Sequence, residues 1–377
     1  MVAGLQTSYD LSVGVKINMD EAIYMLSPRD LPLLTGFGSD GNSVLPSLPV
    51  DERKFSWMNE EALLPRSLLA AAATTGDTFV TVQSGETLNF STGDMVVIHK
   101  AAGTEYMRVT GYGTTTDTLL VTRAYSGTAT NYASGDTIIA IGTALAEGSD
   151  PENARSTDRT EAYNLTQIFG PTKVSISRTE QGRAKYGISD EMGHQMMLRV
   201  LEASIAREQA FIYGIRTEST TTKIRTTGGV KYYLTTNEDS TNTQITVATI
   251  SSNLLACYDA GGMPDQLWCN PKSVATLNAA NDSTIQTRNV DTQRGVRRTE
   301  FVVTEYGDVS ITRNRWIDPL HAFGVSREGI TRRVFDPLIT EKLAKTGDSE
   351  NWMFVCEEGL EVKGEQHMFA MTNLTAY

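Results

Sequence analysis

One segment restricts the fold more than any other. Residues 189 to 214 form a long amphipathic helix in a chain otherwise written in short, β-branched runs. Ser189 or Asp190 suits the N-cap and Glu191 suits the first turn. Met197, Leu201, Ile205 (with Ser204), Glu208 and Ile212 then recur every three or four residues until Gly214 stops the pattern. Strand-like stretches within Arg159 to Arg178 precede this helix. After it the order alternates: helix Thr249 to Asp259, strand Gln266 to Cys269, helix Pro271 to Ala280, then strands Glu300 to Glu305, Val309 to Arg315 and Ala322 to Ser326. The fold class that follows is α+β. The last strands, Trp352 to Cys356, Glu361 to Lys363 and Met368 to Thr372, are expected to pair back with those before the long helix, which packs on the resulting sheet.

The N-terminal part has a different texture. Residues 1 to 35 read as an arm, with one short helix over Asn18 to Leu26 ended by Ser27-Pro28. Thr35 to Arg66 is rich in Gly and Pro around one alternating stretch, Lys54-Phe55-Ser56-Trp57-Met58, and reads as an extended hairpin arm with little core of its own. Phe55, Trp57 and Met58 are therefore expected to bury themselves against a neighbouring subunit. From Ser67 the chain turns to short strands near Thr78, Met95, Tyr106, Leu119 and Thr137, spaced as in small sandwiches and barrels. Thr92-Gly93-Asp94 is echoed by Ser134-Gly135-Asp136, each turn feeding a buried strand. Residues 67 to 143 are thus an all-β module inserted in the hairpin arm.

The net charge of −12 disfavours a protein that grips phosphate with its whole surface. Gln266 to Lys345 alone is locally positive, with 12 Lys and Arg against 9 Asp and Glu. Its clusters, Arg294, Arg297 and Arg298, then Arg313 and Arg315, then Arg332 and Arg333, suit sheet edges and subunit salt bridges, with weak DNA contact as the alternative. Cys257, Cys269 and Cys356 are an odd number without CxxC spacing, each in an apolar run, and read as reduced core residues of a reducing compartment. Neither an export signal at the start nor a run long enough to span a membrane is present.

Catalytic signatures are lacking. Gly36 to Gly41 spells GxGxxG, but no apolar strand precedes it and Pro46 follows too soon for a helix, so it reads as a loop. The four histidines lie far apart without metal-ligand spacing. Glu357, Glu358 and Glu361 could mimic an acid/base pair, but beside Gly359 they read as a solvated edge. No catalytic, cofactor-binding or metal residue is assigned. Asn-x-Thr/Ser triplets, at Asn164 among others, reflect only a chain rich in those residues.

Particular residues sharpen the order of parts: Arg159-Thr160-Glu161-Ala162-Tyr163-Asn164-Leu165-Thr166-Gln167-Ile168-Phe169, the long helix, Gln266 to Lys272, Asn314-Arg315-Trp316, and Leu343 to Ser349. With them the chain resembles the Hong Kong 97-type fold of tailed-bacteriophage major capsid proteins, in the branch with a β insertion in the E-loop. The resemblance implies an N-terminal arm at 1–35 and an E-loop at 36–66 and 144–158. The inserted module is 67–143, the peripheral domain with its spine helix 159–228 and 346–377, and the axial domain 229–345. It implies a non-enzymatic protein of the virion that needs no cofactor. Subunits would assemble in the host bacterial cytoplasm into hexamers and pentamers of an icosahedral head around double-stranded DNA.

Its partners would be other copies of itself, scaffolding, portal and decoration proteins, and packaged DNA by weak non-specific contact, with no membrane. Candidate interface residues are Phe55, Trp57, Met58, Arg294, Arg297 and Arg298. Relatives often begin with a scaffolding segment that is cut away; here Met1 stands directly before the arm, so a separate scaffold or none is expected. The competing reading is a tail or surface-binding protein whose β module recognises a receptor or carbohydrate. The long helix and α+β region count against it, because tail fibres tend to be all-β repeats.

Overall fold

A computed structural model describes residues 30–34, 45–60, 63–100, 103–148, 159–183, 188, 190–241, 244–280, 301–345 and 347–375. The arm helix over Asn18 to Leu26, the GxGxxG stretch, and Arg294, Arg297 and Arg298 lie outside these residues. The chain divides into two compact units, Met1–Trp57 with Ala162–Tyr377, and Met58–Glu161.

In the larger unit the long helix runs over Glu191–Tyr213, 23 residues or about 35 Å. Its N-cap is Asp190 and Gly214 ends it, donating its backbone N–H to Ala210. A four-stranded sheet lies against it, in the order Ser47–Pro49, Ile330–Lys342, Ser349–Val362, Gln167–Ser177. The first pair is parallel and the other two antiparallel. Met192, Met196 and Val200 of the helix pack on Val174, Ile176, Trp352 and Phe354 of the sheet. Further along, the Phe211 and Phe169 rings meet edge to face, 6.2 Å between centroids. Of the expected stripe Ser204, Glu208 and Ile212 are buried and Leu201 and Ile205 half-buried, whereas Met197 is 49% exposed; Met192, Arg207 and Phe211 are buried in addition.

A second, six-stranded sheet has the order Glu238–Asp239, Phe369–Met371, Ala322–Val325, Gln266–Cys269, Gly307–Arg313, Phe301–Thr304. Helices Val247–Asp259 and Pro271–Ala280 share its core. Thr246 and Thr249 form a reciprocal capping box at the start of the first of these helices. One expectation is corrected. Met368 to Thr372 does not pair back with the strands before the long helix; Phe369–Met371 pairs with Ala322–Val325 in this second sheet. Ile330–Lys342 is a 13-residue strand outside the expected set, and it pairs with Ser349–Val362 in the first sheet.

The smaller unit contains six strands in the order Arg66–Leu68, Thr137–Thr143, Asp94–Lys100, Gly103–Tyr112, Thr118–Ser126, Phe79–Thr81, all neighbours antiparallel. The two outer strands meet as well. Ala70 N–H donates to Thr81 O at 2.9 Å, Gln83 N–H donates to Leu68 O at 3.0 Å, and Leu69 bridges Val82. That closes the sheet into a small barrel without free edges. Its core includes Leu69, Val82, Phe90, Ile98, Met107, Leu119 and Ile138. The Gly-Asp echo has a physical cause. Asp94 accepts from the Ser91 amide at 2.7 Å and Asp136 from the Ala133 amide at 2.8 Å, each following a glycine near φ +90°. A third copy, Asp77 accepting from the Thr74 amide at 2.6 Å, follows Gly76.

Candidate assembly surfaces and their support

Strand Lys54–Glu60 pairs with Arg159–Leu165 in a two-stranded ribbon. A ribbon of two strands has little stability of its own, so its alternating apolar side chains need a surface. Phe55 and Trp57 are buried and Met58 is 71% exposed. The partner of the first two is their own chain, which corrects the expectation that a neighbouring subunit covers them. Gly359 makes room for the Phe55 ring, since a Cβ there would lie 2.7 Å from Phe55 Cε1. Trp57 meets Tyr233 edge to face at 5.6 Å. Of the apolar trio, Met58 alone keeps most of its surface open.

The ribbon is fixed to the larger unit through Asn164. Its Nδ2 donates to Thr227 Oγ1 at 3.1 Å, Gly228 O at 2.9 Å and Leu360 O at 2.5 Å. Its Oδ1 accepts from the amides of Leu165 and Gly228, both at 2.8 Å. A fully buried amide with all these bonds made ties the ribbon, the loop after the long helix and the first sheet to one point. This is why an Asn stands at 164, where the sequence offered only an Asn-x-Thr triplet. Beside it, Tyr163 lies between two cations, with Lys54 Nζ 4.1 Å and the Arg216 guanidinium 3.9 Å from its ring centre.

Glu357, Glu358 and Glu361 are not a solvated edge. All three are buried in the middle strand of the first sheet. Glu357 pairs with Arg225 and accepts from Thr166 Oγ1 at 2.5 Å. Glu358 pairs with Arg207 of the long helix at 2.9 Å, with Arg332 at 3.8 Å. Glu361 pairs with Arg333 at 2.5 Å and Lys363 at 3.1 Å. The basic cluster Arg332-Arg333 is therefore engaged inside the subunit. Arg315 is likewise paired, with Asp30 at 3.4 Å. These pairs replace what acid/base chemistry would need, an unpaired carboxyl facing a cleft.

The histidines stay apart. His321 sits between Lys231, 3.0 Å from its Nε2, and Tyr213, 3.4 Å from its Nδ1; His99 lies 3.1 Å from Thr104 Oγ1 in the barrel. Burial, then the Lys231 charge, lowers the His321 pKa. Among the described residues no three of His, Cys, Asp or Glu gather as a metal site requires, and no helix is long and apolar enough to cross a membrane. The three cysteines are buried, and burial pushes the thiols of Cys257 and Cys269 up to about 12 and that of Cys356 up to about 11.

Sequence and structure comparisons agree with this architecture. Residues 2–375 match the family described as SU10 major capsid protein. No curated protein matches the sequence. Among solved structures, the chain is similar to that of Microbacterium phage Oxtober96, with 11% identity, 98% of this chain and 99% of that one covered, and a TM-score of 0.54. It is similar to that of Mycobacterium phage Bobi, with 10% identity, 98% and 99% coverage and a TM-score of 0.53. It is also similar to the capsid of an empty GTA particle, with 9% identity, 98% and 100% coverage and a TM-score of 0.51. The fold as a whole is that of Hong Kong 97-type phage capsid subunits. The chain belongs to the SU10 major capsid protein family, and its work is that of a structural shell subunit.

Proposed function

We propose that this protein closes into the icosahedral head of a tailed phage as hexamers and pentamers around double-stranded DNA, assembled in the host bacterial cytoplasm. The observation that carries the reading is the family match over residues 2–375, which takes in the barrel as well as the larger unit. That extent also weighs against a tail protein whose β module reads a receptor. The parts are the arm 1–35, the E-loop 36–66 and 144–158, the inserted barrel 67–143, a peripheral domain 159–228 and 346–377, and an axial domain 229–345. Strand Ile330–Lys342 transfers to the peripheral domain, because its hydrogen bonds lie in the first sheet.

Met58 of the E-loop and Arg294, Arg297 and Arg298 meet neighbouring subunits. DNA contact is weak and salt-sensitive: the chain carries −12, and Arg315, Arg332 and Arg333 are held in pairs. The barrel carries Lys100, Arg108 and Arg123 against six acids in residues 67–143, which favours the outer face, away from packaged DNA. There it braces neighbouring capsomers or takes the place of a decoration protein; scaffolding and portal proteins are the remaining partners. Replacing residues 67–143 by a short Gly-Ser link tests the assignment. Soluble subunits with fewer or less heat-stable shells are expected; an unchanged yield and stability of shells would contradict the bracing role.

A further inference from the structure

The barrel carries a surface cleft of about 320 Å³ between the turn Glu86–Asn89 and the loop that joins Gly103–Tyr112 to Thr118–Ser126. Tyr112 forms one wall. Its ring is half exposed, and it is held in place because its hydroxyl donates to Phe90 O at 2.7 Å. Leu88, 59% exposed, adds a second apolar group. The loop is fixed as firmly. Gly113 N–H donates to Thr118 O at 2.8 Å, and Asp117 Oδ1 accepts from the Gly85 amide at 2.9 Å and from Thr87 Oγ1 at 3.2 Å. These bonds tie the two sides of the cleft together, so it is formed before a ligand arrives and binding costs little ordering. Thr114, Thr115 and Thr116, all exposed, complete the lining with hydroxyls that can both donate and accept.

The chemistry of the lining selects the ligand. No Lys, Arg or His stands among the residues that line the cleft, so a phosphate or other anion finds no counter-charge there, and the Asp117 carboxylate repels it. A wholly apolar ligand would cover the threonine hydroxyls without pairing them. What fits is a neutral, flat molecule with an apolar face and a polar rim. A pyranose ring has this form: its C–H bonds meet the electron-rich face of Tyr112 while its hydroxyls pair with the threonines. We propose that this cleft binds a neutral saccharide, presented outward on the assembled shell; the outward placement rests on the reading of the barrel given above. One shallow cleft holds one sugar weakly. A shell repeats the cleft on a rigid support, and linked sites of this kind can exceed a single site in strength by about 10²–10⁴. A polysaccharide, which repeats its rings, is the ligand class that exploits such an array.

The test is saturation-transfer NMR of the full chain as free subunits, with the methyl glycosides of glucose, galactose, mannose and N-acetylglucosamine offered in turn. At least one glycoside should receive magnetisation, most strongly at its ring C–H protons. Tyr112→Ala should abolish the transfer, and Thr115→Val, which changes one exposed loop hydroxyl and nothing in the core, should weaken binding about three- to tenfold. Absence of transfer to all four glycosides would overturn the proposal, and so would a signal that both variants leave unchanged. Retention of assembled shells on beads bearing the bound sugar reads the placement separately. Subunits that bind in solution while shells pass through would overturn the outward position of the barrel and uphold the cleft as a saccharide site.

Discussion

Removing the Arg123 guanidinium should unlock the barrel while leaving the rest of the subunit intact. Arg123 forms a fork with the fully buried Glu105, Nε to Oε1 at 2.8 Å and Nη2 to Oε2 at 2.9 Å. It also donates to the carbonyls of Thr74 at 2.7 Å and Thr130 at 2.6 Å. In Arg123→Met the Glu105 carboxylate keeps the amides of Ala124 at 2.8 Å and Thr130 at 3.0 Å and the Tyr132 hydroxyl at 2.7 Å. Breaking a buried pair by deleting one partner costs about 3–5 kcal/mol, and these remaining donors place the effect near the lower end, about 3 kcal/mol. Hydrogen exchange on the full chain separates the units. Peptides within residues 63–148 should lose about a hundredfold in protection, while those of the long helix keep theirs. A loss below threefold, or an equal loss in both units, would refute the assignment of the clasp.

The same carboxylate sets an acid limit. Burial would raise its pKa, but the Arg123, Thr130, Tyr132 and Ala124 bonds hold it down at about 2, so the stability it gives the barrel is present above the ordinary value of 4.5 and is lost as pH falls toward 2. Acid titration of barrel peptides by hydrogen exchange checks it. Phe211→Ala empties a fully buried site beside Phe169 and should cost about 3–5 kcal/mol in urea unfolding of the larger unit. Glu358→Ala leaves Arg207 and Arg332 without their carboxylate in the core and should lower solubility or cost about 3 kcal/mol, where Met58→Ser should leave monomer stability unchanged and reduce shell yield. Native protein at pH 8 should resist iodoacetamide at all three cysteines until it is denatured, as read by mass spectrometry.

The parts of this fold legible in the sequence are those whose signals are local. Strand Gln266–Cys269 and helix Pro271–Ala280 fall where an apolar run meets Asn270-Pro271, a cap followed by the proline that opens a helix. The barrel strands were legible because each Gly-Asp turn closes on its own amide three residues back. Strand Ile330–Lys342 was hidden by Pro337 and by charge. The structure accommodates the proline where the register shifts between Asp336 and Ile339, and it neutralises Arg332 and Arg333 on the neighbouring strand.

The acids at 357, 358 and 361 misled for a related reason. Glu357 and Glu358 pair with Arg225 and Arg207, more than a hundred residues away along the chain, Glu361 pairs with Arg333 on the neighbouring strand, and Gly359, which resembled a turn, is a strand residue that seats Phe55. The alternation of Phe55 and Trp57 was legible in the sequence, but the surface that covers them was not. Nothing in a strand pattern says whether the covering surface belongs to the same chain or the next.

Electron microscopy of the purified, assembled protein tests the central claim most directly. Closed icosahedral shells built of many copies in hexamers and pentamers are the predicted result. Discrete trimers or monomers under conditions where the chain is folded would contradict it.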